Sequence, residues 1–180
     1  MEFRQLGHSG LSVSEIGLGC NNFGGRVDQS GTKRVVDAAM DHGITLFDTA
    51  DVYGGSNSEV FLGKALGSKR SDVIIATKFG MAMGQDALSR GGSRRYIMKA
   101  VEASLDRLGT DYIDLYQIHF PDPATPIDET LSALDDLVRA GKVRYVGSSN
   151  FSSWQIADAD WTARSEGYTR FVSAQNHMNL

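Results

Sequence analysis

The stretch Thr45-Leu46-Phe47-Asp48-Thr49-Ala50-Asp51-Val52-Tyr53-Gly54 sets the pattern on which the rest of the chain is built. It begins with apolar, β-prone residues and reaches a carboxylate, Asp48, where a strand would end. Five residues later Tyr53 precedes a pair of glycines, which is typical of a loop. A strand that ends in a polar group and leads through a loop into a helix is one β–α unit.

Further segments on both sides repeat this order of strand and helix. The predicted strands are residues 16–20, 44–48, 72–78, 112–119, 143–150 and 170–175, and helices are predicted at 30–42, after Ser56, at 93–108, from Pro126 to Gly141 and at 152–165. Ser56 and Glu59 have the spacing of a capping box. Residues 2–15 indicate a hairpin, and residues 79–92 indicate a long loop, a kind of segment that is often functional.

The repeats predict an α/β fold with a parallel sheet in one domain over residues 1–180, and two architectures fit them. A doubly wound sheet gathers its ligands at one switch point, whereas the strand ends of a (β/α)8 barrel all meet on one face. Polar residues follow nearly every predicted strand, namely Asp48, Lys78, His119, Ser149, Asn150 and Gln175. This distribution favours the barrel. Gly17-Leu18-Gly19 begins like a dinucleotide fingerprint, but Asn22 stands at the position of the third glycine.

Composition excludes several classes of function. The 180 residues carry a net charge of −4 without a basic run, which argues against a nucleic-acid partner. No apolar run approaches the roughly 18 residues that span a bilayer, and Met1–Gln5 does not begin a signal peptide, so we expect a cytoplasmic location and no membrane partner. The single cysteine, Cys20, excludes an internal disulfide framework and a cysteine-based zinc cluster, and no metal site is predicted.

Four residues of this pattern suit one chemistry if the fold brings them together. A tyrosine such as Tyr53, with an ordinary pKa near ~10, donates a proton poorly unless its phenolate is stabilised. The ammonium of Lys78 can stabilise it, and Asp48 can keep that ammonium charged. A neutral imidazole at His119 can orient a carbonyl oxygen. The set therefore predicts protonation at a carbonyl that is being reduced.

A hydride donor is missing from this set, so a nicotinamide cofactor would have to supply the hydride. Ser149, Asn150 and Gln175 have the hydroxyl and amide groups that would hold a carboxamide. Each residue also has a structural interpretation: Asp48 and Lys78 as a buried ion pair, Tyr53 as a core aromatic, His119 as a strand cap and Asn150 as a helix start.

The sequence resembles the aldo-keto reductases over essentially its whole length. The similarity rests on Gly17–Gly19, Phe47–Ala50 with Tyr53-Gly54, Glu59 with Leu62-Gly63 and Leu66, Ala76–Lys78, Asp114–His119, Gly141–Phe151 and Gln175. Pro121-Asp122-Pro123 and the glycine-rich loops are similar to the bacterial and potassium-channel-β-like branches of that family.

The resemblance implies a (β/α)8 barrel that reduces small-molecule aldehydes or ketones with NADPH. By this resemblance Tyr53 is the proton donor, Lys78 and Asp48 tune it, and His119 orients the carbonyl. The resemblance also implies cofactor contacts, from Ser149, Asn150 and Gln175 to the carboxamide and from Asp48 and the backbone of Gly19, Cys20 and Asn21 to the nicotinamide ribose.

Members of the family continue well beyond the position of Leu180, so about six of the eight β/α units are expected here, and the chain is C-terminally short. Residues that distinguish NADPH from NADH would lie beyond Leu180. Open barrel edges lead us to expect a homo-oligomer that covers them. Two alternatives to the enzyme stay open: a non-catalytic nucleotide-binding regulatory subunit, although such proteins commonly carry asparagine at the position of His119, and an inactive truncated remnant.

Overall fold

A computed structural model describes residues 1–177 of the chain and confirms the alternation of strands and helices. The strands are β1 (Phe3–Gln5), β2 (Ser12–Ser14), β3 (Gly17–Gly19), β4 (Leu46–Asp48), β5 (Ile74–Phe79), β6 (Ile113–Ile118), β7 (Val143–Ser149) and β8 (Ser173–Gln175). The helices are α1 (Gln29–Asp41), α2 (Asn57–Leu66), α3 (Arg94–Leu108), α4 (Ile127–Arg139) and α5 (Ser153–Glu166), with short 3-10 turns at Tyr53–Ser56 and Gly67–Asp72. No helix in this part of the chain is long and apolar enough to cross a membrane.

The main sheet has the strand order of a barrel. Strands β3 to β8 lie side by side in sequence order, and every neighbouring pair is parallel. A doubly wound sheet would reverse its strand order at a switch point, and the six strands contain no such reversal. The described residues therefore form six strands of a (β/α)8 barrel, the α/β architecture that the sequence predicts.

The sheet is strongly curved. In a flat sheet β4 and β8, which are four strands apart, would be separated by roughly 19 Å at the usual spacing between strands. Here Nε2 of Gln175 on β8 donates a hydrogen bond to Oδ2 of Asp48 on β4 at 3.3 Å. The inner face of the sheet thus folds around a cavity of about 230 Å³, with Asp48, Gln117 and Gln175 among its lining residues.

The predicted N-terminal hairpin is present and lies against the amino end of the barrel. Strands β1 and β2 pair antiparallel, and Leu6 in the turn lines the inner cavity. Ser14 joins the hairpin to the barrel, because its Oγ accepts hydrogen bonds from the backbone N–H of Thr45 at 3.0 Å and of Leu46 at 3.3 Å. Gly7 has a φ of +58°, and a Cβ there would lie 2.2 Å from the carbonyl oxygen of Val172. Only glycine fits this close approach.

The predicted capping box of α2 is wrong. Ser56 has a left-handed backbone, with φ at 75°, and its side chain forms no cap hydrogen bond. Glu59 is fully buried instead, and it accepts hydrogen bonds from Thr77 Oγ1 at 2.5 Å and Arg107 Nε at 2.6 Å. A buried carboxylate needs such partners more than a helix end needs a cap, because an exposed N–H group can bond water.

A capping box does begin α5, formed by Ser152 and Gln155. The N-terminal cap of that helix is therefore Ser152, and the interpretation of Asn150 as its start is wrong. This leaves Asn150 free for contacts with the loops at the carboxyl end of the barrel.

Candidate active site

Asp48 and Lys78 form a buried ion pair at the carboxyl ends of neighbouring parallel strands. Lys78 Nζ lies 2.7 Å from Oδ1 and 2.8 Å from Oδ2 of Asp48, and it donates a third hydrogen bond to the Thr49 carbonyl at 2.9 Å. Lys78 is only 1% exposed, so its ammonium depends on these oxygens for solvation. The carboxylate remains accessible from the barrel interior, since 22% of the Asp48 side chain is exposed.

Tyr53 and His119 lie next to this ion pair. The Lys78 ammonium is 5.2 Å from the centroid of the Tyr53 ring, and the Tyr53 and His119 rings meet edge to face with centroids 5.7 Å apart. His119 follows β6, and its backbone N–H donates to the Phe79 carbonyl at 2.9 Å. The four residues that the sequence selects, three of them at strand ends and Tyr53 on the loop after β4, are thus neighbours on one face of the barrel.

The pKa of Tyr53 depends on burial and on the charges around its ring. Burial raises it above its ordinary value, and the carboxylates of Asp48 and Asp51 raise it further. Both oxygens of Asp48 face the Lys78 ammonium, which largely offsets the positive charge that Tyr53 would otherwise experience. Tyr53 therefore keeps its proton at neutral pH.

His119 is held neutral. Burial lowers the pKa of its imidazole to about 4, the Lys78 ammonium lowers it too, and Asp48 opposes the shift only in part. Its Nδ1 is buried without a partner in the described part of the chain. A neutral ring carries one N–H donor, which suits it to hydrogen bonding with an uncharged oxygen.

We expect the His119 imidazole to titrate near pH 4 and to stay neutral across physiological pH. Since the unfolded chain takes up that proton near pH ~6.5, folding stability should fall as the pH drops from that value toward the folded pKa. Histidine NMR chemical shifts followed against pH, with the signal assigned from His119→Asn, measure this. A His119 midpoint near the ordinary value would contradict the described burial.

Ser149, Asn150 and Gln175 form a connected polar rim beside the four residues. Asn150 Nδ2 donates to the His119 carbonyl at 2.9 Å and to Ser149 Oγ at 3.0 Å, and Ser149 Oγ donates to the Gln175 carbonyl at 2.9 Å. The side-chain oxygens of Asn150 and Gln175 accept no hydrogen bond from within residues 1–177. An amide NH2 group is the type of donor that these oxygens suit.

Gly19, Cys20 and Asn21 lie at the end of β3, next to Asp48. The Cys20 N–H donates to the Asp48 carbonyl at 2.8 Å, and the Cys20 carbonyl accepts from Ser58 Oγ at 2.8 Å. The backbone of Cys20 is thus engaged within the protein, and its thiol is buried. Gly19 and Asn21 are exposed, and nothing lies within 4 Å of where a Gly19 Cβ would be. This open space above β3 leaves room for a ligand beside Asp48.

Sequence reasoning assigned no role to Asp51, although it lies between Asp48 and Tyr53 in the opening stretch. It is 1% exposed, and one of its carboxylate oxygens has no partner among the described residues. The available signal was an acidic residue in the short segment between the two candidate residues Asp48 and Tyr53. Its burial beside Tyr96 of α3 has no local sequence signature, because the two residues are 45 positions apart in the chain.

Comparison with known proteins identifies a family that the chain matches. A family model described as the aldo/keto reductase family matches residues 15–180. The chain is 44% identical to the aldo-keto reductase YhdN of Bacillus subtilis (strain 168) over 162 residues, which cover 87% of the chain and 49% of that protein. It is 39% identical to the versiconal hemiacetal acetate reductase of Aspergillus parasiticus over 206 residues, covering 100% of the chain and 60% of that protein.

A relative from another functional class also matches. The chain is 38% identical over 167 residues to the probable voltage-gated potassium channel subunit beta of Arabidopsis thaliana, covering 91% of the chain and 50% of that protein. The chain thus spans between 49% and 60% of the length of these relatives. The resemblance that the sequence indicates, including its bacterial and channel-β-like character, is confirmed.

Proposed function

The chain belongs to the aldo/keto reductase family, and on that premise we propose that it reduces small aldehydes or ketones to alcohols with NADPH. The observation that carries this proposal is the contact group formed by the buried Lys78–Asp48 pair, Tyr53 and His119. An uncharged phenol, a fixed ammonium and a neutral imidazole on one open face are the groups that protonation of a carbonyl oxygen requires.

Tyr53 is proposed as the proton donor. Its raised pKa keeps the hydroxyl protonated before reaction, and the proton moves to the substrate oxygen as negative charge develops there. The phenolate left behind lies beside the Lys78 ammonium, which is 5.2 Å from the ring centroid. Lys78 therefore acts on the charge that forms during transfer, and Asp48 holds the ammonium in place.

His119 is proposed to orient the substrate carbonyl. Its neutral ring meets the Tyr53 ring edge to face and stacks on the Phe120 ring with centroids 5.3 Å apart. These two contacts fix the orientation of the imidazole ring. One N–H directed at the substrate oxygen would hold that oxygen near the Tyr53 hydroxyl and stabilise charge developing on it.

The residues present fit a nicotinamide. The free side-chain oxygens of Asn150 and Gln175 suit a carboxamide NH2, Ser149 supports both residues, and the open space at Gly19 beside Asp48 leaves room for a ribose. A bound reduced nicotinamide would supply the hydride that no side chain can supply. The preference for NADPH over NADH is carried over from the family.

The direct test is loss of NADPH absorbance with a panel of aldehydes and ketones, combined with nucleotide titration by fluorescence. Substrate-dependent oxidation supports the proposal. Nucleotide binding without turnover would favour a regulatory binding subunit, the class suggested by the channel-β relative. If the chain neither binds the nucleotide nor turns over a substrate, the proposal is overturned and an inactive remnant is favoured.

We also propose that copies of the chain associate through the open edges of the sheet. Within the described residues β3 pairs only with β4, and β8 pairs only with β7, so each edge strand exposes backbone hydrogen-bonding groups. Molar mass from light scattering distinguishes an oligomer from a monomer, and a compact monomer would contradict this part of the proposal.

A further inference from the structure

Asp51 is a buried carboxyl group that the proposed reaction does not use. It is 1% exposed, and its backbone N–H donates to the Lys78 carbonyl at 3.1 Å. Its Oδ2 accepts a long hydrogen bond from the Tyr96 hydroxyl at 3.5 Å, and its Oδ1 has no partner among the described residues. A buried carboxylate with so few partners is costly, because desolvation is not compensated, whereas a protonated carboxyl is tolerated.

Charged and titratable groups face Asp51 from every element that packs against it. They are Tyr53 on its own loop, Glu59 on α2, Tyr96, Lys99 and Arg107 on α3, and Tyr116 on β6. Arg107 is already paired with Glu59 at 2.6 Å, and Lys78, whose backbone carbonyl contacts Asp51, has its ammonium paired with Asp48 at 2.7 Å. The Tyr116 hydroxyl is buried without a partner in the described part of the chain. Among the described residues, neither of the two paired cations is therefore free to pair with ionised Asp51, and Lys99 lies at the exposed mouth of the cavity described next.

A cavity leads to this carboxyl group from outside the barrel. It measures about 200 Å³ and lies between the loop of Met83 and Ser89 and helix α3, which contributes Tyr96, Lys99 and Arg107. Lys99 is exposed to solvent. The volume exceeds the ~15 Å³ that one water needs, and the lining offers several polar partners. Water in this cavity can therefore carry protons to and from Asp51.

We propose that Asp51 is a proton-holding positioning residue, which exchanges its proton with solvent through this cavity and controls the acidity of Tyr53 through its charge. The effect of Asp51 on carbonyl reduction rests on the proposed function, but its coupling to Tyr53 does not. Burial and the Glu59 carboxylate raise the pKa of Asp51 to about 7, partly opposed by Arg107. An ionised Asp51 raises the pKa of Tyr53.

The sign of the coupling follows from these charges. Below neutral pH Asp51 is protonated and uncharged, and a Tyr53 phenolate experiences one carboxylate fewer. As the pH rises through about 7, Asp51 ionises and the phenolate becomes harder to form. The rate of the proton-transfer step should therefore decline as the pH rises through this range. In Asp51→Asn the rate should not show this decline.

The deciding experiment measures Tyr53 itself, without cofactor or substrate. In protein labelled at the tyrosine Cζ carbon, the NMR signal of Tyr53 is assigned from Tyr53→Phe and followed against pH. Asp51→Asn should lower the pKa of Tyr53 by on the order of half a unit, about a threefold increase in acidity. Asp41→Asn, at an exposed position at the end of α1, is the matched control and should leave Tyr53 unchanged.

An unchanged Tyr53 midpoint in folded Asp51→Asn would overturn the proposal. Should that variant fail to fold, the carboxyl carbon of Asp51 is titrated in the wild-type chain and in Tyr96→Phe. A midpoint near 7 that rises when the Tyr96 hydroxyl is removed supports the proposal, and a midpoint near the ordinary aspartate value overturns it. Absence of reductase activity would count against the proposed function only, because none of these titrations requires turnover.

Discussion

Replacing Tyr53 with phenylalanine is expected to lower the rate of carbonyl reduction by ~10²–10⁴-fold, the usual contribution of a positioned general acid. The substitution removes one oxygen and keeps the ring, so the edge-to-face contact with His119 at 5.7 Å and the approach of Lys78 at 5.2 Å are retained. Nucleotide affinity should not change, because the polar rim of Ser149, Asn150 and Gln175 does not involve the Tyr53 hydroxyl.

The rate is measured at saturating NADPH and substrate, and affinity is measured separately by nucleotide fluorescence. Tyr168→Phe is the control, since Tyr168 is half-buried against α5 at a distance from the site and its loss of a hydroxyl should not affect turnover. Full turnover in Tyr53→Phe would refute the proposed donor. A parallel loss of nucleotide affinity would show that the hydroxyl contributes to binding rather than to proton transfer.

The substitution Asp48→Asn is expected to reduce the free energy of unfolding by about 3–5 kcal/mol, the scale found when one partner of a buried ion pair is removed. It leaves the Lys78 ammonium, which is 1% exposed, with only neutral acceptors such as the Thr49 carbonyl at 2.9 Å. Lys78→Met should destabilise less, because the remaining carboxylate is 22% exposed and can be reached by water. Urea denaturation at neutral pH measures both effects.

A surface pair provides the control. Asp37 pairs with Lys33 on the exposed side of α1, and Asp37→Asn should leave the urea midpoint nearly unchanged. The double variant Asp48→Asn with Lys78→Met should be less destabilised than the sum of the two single variants, because no uncompensated charge then remains. Strict additivity would show that the two side chains are not energetically coupled, which would contradict the buried pair.

The candidate site could be predicted from sequence because its chemistry is placed by strand ends. In parallel β–α units each polar group that follows a strand reaches the same face, so Asp48, Lys78 and His119 could be grouped without a structure. Tyr53 could be added to this group because it follows Asp48 by five residues, on the loop after the same strand. Asn150 and Gln175 of the polar rim could be predicted by the same rule, because they follow or end later strands of the sheet.

The capping box predicted for α2 is wrong because burial is a property of the packed protein. Ser56 and Glu59 match the spacing of a capping box, but Glu59 is fully buried against Thr77 and Arg107, and α2 begins without that cap. Burial also raises the pKa of Tyr53, and Asp48 uses both of its oxygens to pair with the Lys78 ammonium beside it.

The sequence by itself determined the order of the elements, the barrel class, the family and the identity of the four clustered side chains, because these follow from periodicity and from which residue types end each strand. Only the tertiary structure decided the curvature that brings Gln175 to Asp48, the neutrality of His119 and the burial of Asp51. Those features depend on which groups lie within a few ångströms across distant segments and on how much water is excluded there. Neither quantity is encoded in local spacing.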